Sequence, residues 1–225
     1  SLRKSSPLLQ APCQKISRVE AVPDDYIALL QENGYDVNAF DISSLGDRRY
    51  TITFKIKEYV DGKEVGEVLH FNPTFDNMLM VSDFDAESQA EVKPSEMDDP
   101  ARGIYRLANR ITVGYSPSET DSVKNVRMSV DKMGSSNWSL YLRPQTMSES
   151  GKQFYAYATR PFKADTLVCG EFIPLSLLGS FWYDEKFNIH RFCGENELSR
   201  DLSEGMTRYI PHCFIVGVEI KPREN

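Results

Sequence analysis

The chain has 225 residues, 40% of them apolar and 11% aromatic, which is side chain enough for a core and excludes disorder along its whole length. Its 26 basic and 33 acidic residues leave a net charge of −7; with no basic stripe in the sequence, the expectation is that nucleic acid is not a partner. No apolar run approaches the ~20 residues that a helix needs to cross a bilayer.

Residues 1–12 (Ser1 to Pro12) are rich in Ser, Pro and Lys and read as a flexible leader. They open Ser1-Leu2-Arg3-Lys4 without a methionine, and the expectation is an export signal removed upstream. The remainder, 13–225, reads as one β-rich domain. Ile16, Arg18 and Glu20 alternate with Ser17, Val19 and Ala21, a modest strand signal that Pro23 ends. Asp24 then stands where an N-cap belongs, Tyr26, Ile27 and Leu30 recur at helical spacing, and Gly34 sits at C′. This pattern predicts a helix over 25–33.

The clearest local feature is a hairpin. Ile52, Phe54 and Ile56 alternate with Thr51, Thr53, Lys55 and Lys57, and Asp61-Gly62 suits a two-residue type I′ turn. That turn sets Phe54 opposite Leu69 and Ile52 opposite Phe71, with Glu67 opposite Ile56 as the one misfit. His70 falls opposite Thr53 on the other face and reads as solvated or bridging. Residues 82–100 crowd Asp83, Asp85, Glu87, Glu91, Glu96, Asp98 and Asp99, an acidic surface insertion. Asp99-Pro100 then suits the start of a helix running to about Arg110, with Ala101, Ile104, Tyr105, Ala108 and Ile111 on one face.

Strand patterns resume at Val126, Met128 and Val130, turn at Gly134-Ser135-Ser136-Asn137, and continue through Trp138, Leu140 and Leu142. Further strands are expected over 153–159 and 166–173. Leu175 to Gly179 reads as one helical turn after Pro174. A second hairpin is expected around Asp184-Glu185-Lys186, with Trp182 in the core, and an apolar strand over 212–220 closes the chain. Many short strands with two or three short helices make this a mainly β protein, an antiparallel β-sandwich or partly open barrel.

Chemistry is harder to find. Cys13, Cys169, Cys193 and Cys213 are too scattered for a C-x-x-C unit, and both disulfides and buried thiols stay open. His190-x-x-Cys193 and His212-Cys213 have zinc-type residues, but strand neighbours one or three apart face opposite ways. Asp83-x-Asp85-x-Glu87 begins like a calcium loop and lacks its glycine and its distant glutamate. No G-x-S-x-G occurs. No catalytic residue, metal or cofactor is therefore assigned. Tyr155 and Tyr157 share a face if 153–159 is one strand, and Tyr141 lies opposite Leu140 and Leu142, so these three tyrosines form a candidate platform. Sugar rings stack their C–H faces on such surfaces; tyrosines are also simply common in strands.

The segments Tyr26-Ile27-Ala28-Leu29-Leu30-Gln31-Glu32-Asn33-Gly34-Tyr35-Asp36-Val37, Lys57-Glu58-Tyr59-Val60-Asp61-Gly62-Lys63 and Ile173-Pro174-Leu175-Ser176-Leu177-Leu178-Gly179-Ser180-Phe181-Trp182 resemble uncharacterised exported proteins of gut Bacteroidetes. The resemblance covers the chain from about residue 13. It implies a periplasmic, cell-surface or secreted protein of a glycan-rich setting, with a lipid tether upstream, and it brings no functional residues with it. The expectation is a binding or structural module that contacts glycan or a partner protein at the tyrosine face. A hydrolase with a site assembled from distant His190 or His212 and a carboxylate is the alternative.

Overall fold

Asp61 and Gly62 take φ angles of 50° and 75°, the doubly positive pair that a type I′ turn requires. The expected hairpin therefore closes where its residues dictate. The structure, a computed structural model, describes residues 16–147, 150–163, 168–192, 194, 197–199 and 209–223. The leader expected over 1–12, with Cys13 and Cys193, lies outside them.

The described chain runs α1 (Pro23–Glu32), β1 (Asp36–Asp41), β2 (Tyr50–Val60), β3 (Lys63–Glu67), β4 (Thr74–Asp76), β5 (Met78–Met80), α2 (Ala86–Glu91) and β6 (Ile104–Leu107). There follow β7 (Arg110–Pro117), β8 (Val123–Val130), β9 (Gly134–Tyr141), β10 (Gln145–Thr146), β11 (Gln153–Phe154) and β12 (Tyr157–Pro161). The last strands are β13 (Phe172–Ser180), β14 (Trp182–Asp184), β15 (Ile189–Arg191) and β16 (His212–Pro222). The protein is mainly β, with antiparallel sheets and no closed barrel. Among the described residues no helix is long and apolar enough to cross a membrane.

Two sheets face each other, ordered β1-β7-β8-β9 and β12-β13-β16-β2-β3, with β4 also on β2. Alternation sorts their side chains. Ile111 and Val113 of β7 and Val126, Met128 and Val130 of β8 meet Ile52, Phe54 and Ile56 of β2 and Phe214, Val216 and Val218 of β16 in one core. Each such side chain, fully buried, contributes roughly 1.5–3 kcal/mol. The intervening Cys213 and Ile215 of β16 face a second core with Phe162, Leu177, Leu198 and Ile210, onto which Trp182 packs.

That second core explains one correction. Leu175 to Gly179 is not a helical turn but the middle of β13, buried almost throughout. A strand covered on both faces needs a near-continuous apolar run, which periodicity does not separate from a buried helix. Pro174 is accommodated where the register shifts against β16.

The helix expected from Pro100 to Arg110 is reduced to a 3₁₀ turn over Pro100–Arg102. Asp99 does cap it, accepting from the Arg102 N–H at 3.2 Å, but Gly103 enters the left-handed region at φ 69° and ends it. Ile104 and Ile111 reach the interior from β6 and β7 instead. The alternation over 16–21 forms no strand: among the described residues nothing pairs with it, and Ile16 is 96% exposed. In the hairpin a bulge shifts the register between Glu58 and Tyr59. Glu67 consequently lies opposite Lys57, which removes the misfit, and Phe75 replaces Phe71 opposite Ile52. Phe71 is left 80% exposed while Leu69 stays buried.

Smaller differences follow the same pattern. The turn between β8 and β9 uses Asp131, Lys132 and Met133, with Lys132 at φ 63°, and Gly134 begins β9. The strand expected over 153–159 is split at Tyr155 and Ala156. The one expected over 166–173 begins only at Phe172; residues 164–167 lie outside the described ones. In the acidic segment Asp85 caps α2, accepting from the Ser88 N–H at 2.7 Å.

Candidate functional site

The three candidate tyrosines occupy different environments. Tyr141 ends β9, an edge strand, and is 74% exposed. Tyr155 sits in the break between β11 and β12, half-buried. Tyr157 begins β12 and turns its hydroxyl inward, onto a buried histidine.

That histidine is His212, the first residue of β16. Its Nε2–H donates to Glu58 Oε1 at 2.7 Å, since a carboxylate only accepts, and its Nδ1 accepts the Tyr157 hydroxyl at 2.5 Å. The Tyr157 oxygen in turn accepts the Arg143 N–H at 2.9 Å, and the Arg143 guanidinium stands 3.9 Å from Glu58. Burial holds the His212 pKa below its ordinary 6.5; Glu58 opposes this by hydrogen bond and charge, while Arg143 adds to it. Burial likewise pushes the Tyr157 hydroxyl up to about 12. The imidazole is only 3% exposed. With both nitrogens taken, it fastens β2, β12 and β16 together at one end of the core. His190, on β15, is exposed and stacks with Tyr183 and Phe154.

The sheet edges β1 and β12 lie side by side. Thr159 Oγ1 donates to Asp36, and buried Ser176 accepts from the Tyr115 hydroxyl at 3.0 Å while donating to Asn38 at 3.2 Å. Two clefts follow one another along these strands. One, of about 330 Å³, is lined by Gln31, Tyr35, Asp36, Lys124, Tyr157 and Arg160 among others. The next, of about 620 Å³, runs along Val37 to Asp41 and is closed by Phe162, Lys163 and Glu197. Lys124 Nζ donates to the Gly34 carbonyl at 2.7 Å; burial depresses its pKa, and the Asp36 charge works against that. The lining thus mixes amide, hydroxyl, both signs of charge and the ring of Tyr35.

A second cleft region lies at the other end of the β2–β16 ladder, where Arg48, Arg49, Arg102 and Arg223 converge. Asn77 sets its frame. Completely buried, Asn77 donates to the carbonyls of Leu45 and Arg48 at 2.8 and 3.0 Å and accepts the Tyr50 N–H at 2.8 Å. The sequence shows no basic stripe because only two of these arginines are adjacent; the others arrive from Arg102 and Arg223, far along the chain. Of the calcium-like loop, Asp83 binds Arg49, Asp85 caps α2 and Glu87 lies exposed on α2. Among the described residues no group of three or more His, Cys, Asp or Glu side chains is gathered to hold a metal ion. Cys169 is an exposed thiol and Cys213 is buried.

The family described as a domain of unknown function (DUF5041) matches residues 9–222. The chain belongs to this family. Its match spans both sheets, the β1–β12 groove and the His212 network. The chain has no match among curated proteins and none among solved structures.

Proposed function

We propose that this chain is a non-enzymatic binding module of the cell exterior, and that it holds a glycan in the groove between β1 and β12. The observation that carries the reading is the balance of that groove's lining. Asp36, Lys124 and Arg160 line the first cleft and Asp41, Lys163 and Glu197 the second, so donors and acceptors are both plentiful and neither sign prevails. Sugar hydroxyls need such a mixture, and Tyr35, 42% exposed as a residue, offers a ring for stacking. The sequence resemblance to exported proteins supports a periplasmic, cell-surface or secreted setting, which cell fractionation of the native host tests.

The hydrolase alternative would draw on His212 and Glu58. Both ring nitrogens are already bonded within the protein and the imidazole is covered, which favours binding over acid–base work. A partner protein is the second reading, favoured by α1: among the described residues it buries none of its side chains, and Tyr26, Ile27, Leu29 and Leu30 stay exposed beside the groove.

Glycan arrays followed by affinity gels decide between them. The expected result is a retained glycan whose affinity falls roughly tenfold, about 1.4 kcal/mol, in Tyr35→Ala or Gln31→Ala, with unfolding midpoints unchanged. No glycan retained by the parent protein, or affinity indifferent to both substitutions, overturns the proposal.

A further inference from the structure

The arginine-lined cleft carries a different chemistry from the groove. Its volume is about 380 Å³, its floor is Met78, Met80 and Ile104, and its polar walls are Arg48, Arg49, Arg102 and Arg223. We propose that this cleft binds the sulfate or phosphate group of an anionic ligand.

Two features carry the assignment. The first is the placement of charge. Asp83 holds Arg49 through two bonds of 2.9 and 2.8 Å, Asp76 accepts from Arg223 at 2.9 Å, and Asp99 stands 3.8 Å from Arg102. These carboxylates orient the guanidiniums, yet none of them lines the cleft. Arg48 rests over the Tyr50 ring at 5.4 Å and has no ion pair among the described residues. The cleft wall is therefore cationic in a chain whose net charge is −7.

The second is geometry. Guanidinium forks from separate segments approach one space, and a tetrahedral oxyanion accepts from several directions where a planar carboxylate fits a single fork. The apolar side chains beneath the cleft lower the local dielectric and strengthen each contact.

Calorimetry with sodium sulfate, sodium phosphate and sodium acetate at constant ionic strength tests this, alongside a sulfated oligosaccharide and its unsulfated counterpart. Sulfate or phosphate is expected to bind saturably at one site and acetate more weakly. The double variant Arg48→Gln/Arg102→Gln, at two exposed positions, is expected to lose about tenfold in affinity and to keep the parent's unfolding midpoint in chloride. Tighter binding of the sulfated oligosaccharide than of free sulfate assigns the group to a glycan; the reverse assigns it to a free ion. Tyr35→Ala, in the other groove, leaves sulfate binding unchanged, so this site stands or falls apart from the glycan proposal. A stabilisation that rises without saturating, equal in parent and double variant, is the general exclusion effect of such salts and overturns the proposal. So does an absence of binding heat.

Discussion

Glu58 accepts the Nε2–H of His212 at 2.7 Å across the β2–β16 ladder, and the two residues form a diagonal pair at the end of the core. The bond closes a polar network in a place where alternation alone would put an apolar side chain.

Stability should fall as the solution is acidified through the histidine range. Folded His212 has a pKa below its ordinary 6.5 because burial outweighs the pull of Glu58, with Arg143 also disfavouring the charge. Between the two values the unfolded chain binds a proton that the folded chain refuses, so stability is lost as pH drops from about 6.5 until folded His212 protonates. Urea midpoints from pH 8 to pH 5 should decline more steeply for the parent than for His212→Gln. Parallel declines would remove His212 as the cause.

Tyr157→Phe leaves His212 Nδ1 as a buried acceptor without its donor. An unsatisfied group of this kind costs roughly 1–3 kcal/mol. Urea denaturation at pH 8 measures it; a change within error would show that water replaces the hydroxyl.

Asn77→Ala removes the side chain that ties Leu45, Arg48 and Tyr50 to β5. Three backbone groups lose a partner where water enters poorly, and the expected cost is about 2–4 kcal/mol. Since the tied turn carries Arg48 and Arg49, sulfate affinity should fall with it. Equilibrium unfolding and the sulfate titration, run on the same preparation, check both.

Gly217→Ala should be among the most damaging small substitutions. A Cβ there would lie 2.3 Å from the Ile173 carbonyl oxygen and 2.7 Å from the Phe172 ring; backbone cannot step aside as a flexible side chain does. Overpacking of this severity costs about 3 kcal/mol or more. Gly114→Ala, whose Cβ meets Val37 at an ordinary 3.7 Å, should cost less than about 1 kcal/mol. Similar losses at both positions would contradict the packing argument.

Local patterns were readable wherever a segment's fate depended on its own residues. Asp61-Gly62 specified its turn, Gly34 took its positive φ of 82° after α1, and the alternation in β2 and β8 named the buried side chains. The sequence misled where a neighbour decided. Leu175 to Gly179 looked helical because nothing in the run reveals that a second core covers its other face. Ile104 to Ile111 has helical spacing, yet Gly103 and the partners of β6 and β7 drew it into sheets. Glu67 looked misplaced because a bulge leaves no mark in a two-residue alternation.

By itself, then, the sequence determined the class of the protein: a mainly β chain, acidic, with its apolar residues spaced for two-sided strands. Period-two spacing is a local property and survives without knowing the partner. Only the tertiary structure decided which distant groups meet. Glu58, Tyr157 and His212 converge because β12 and β2 flank β13 and β16, and four arginines from three segments share a cleft because Asn77 and three carboxylates hold them there. Such meetings depend on strand order and long-range register, which no stretch of chain encodes alone.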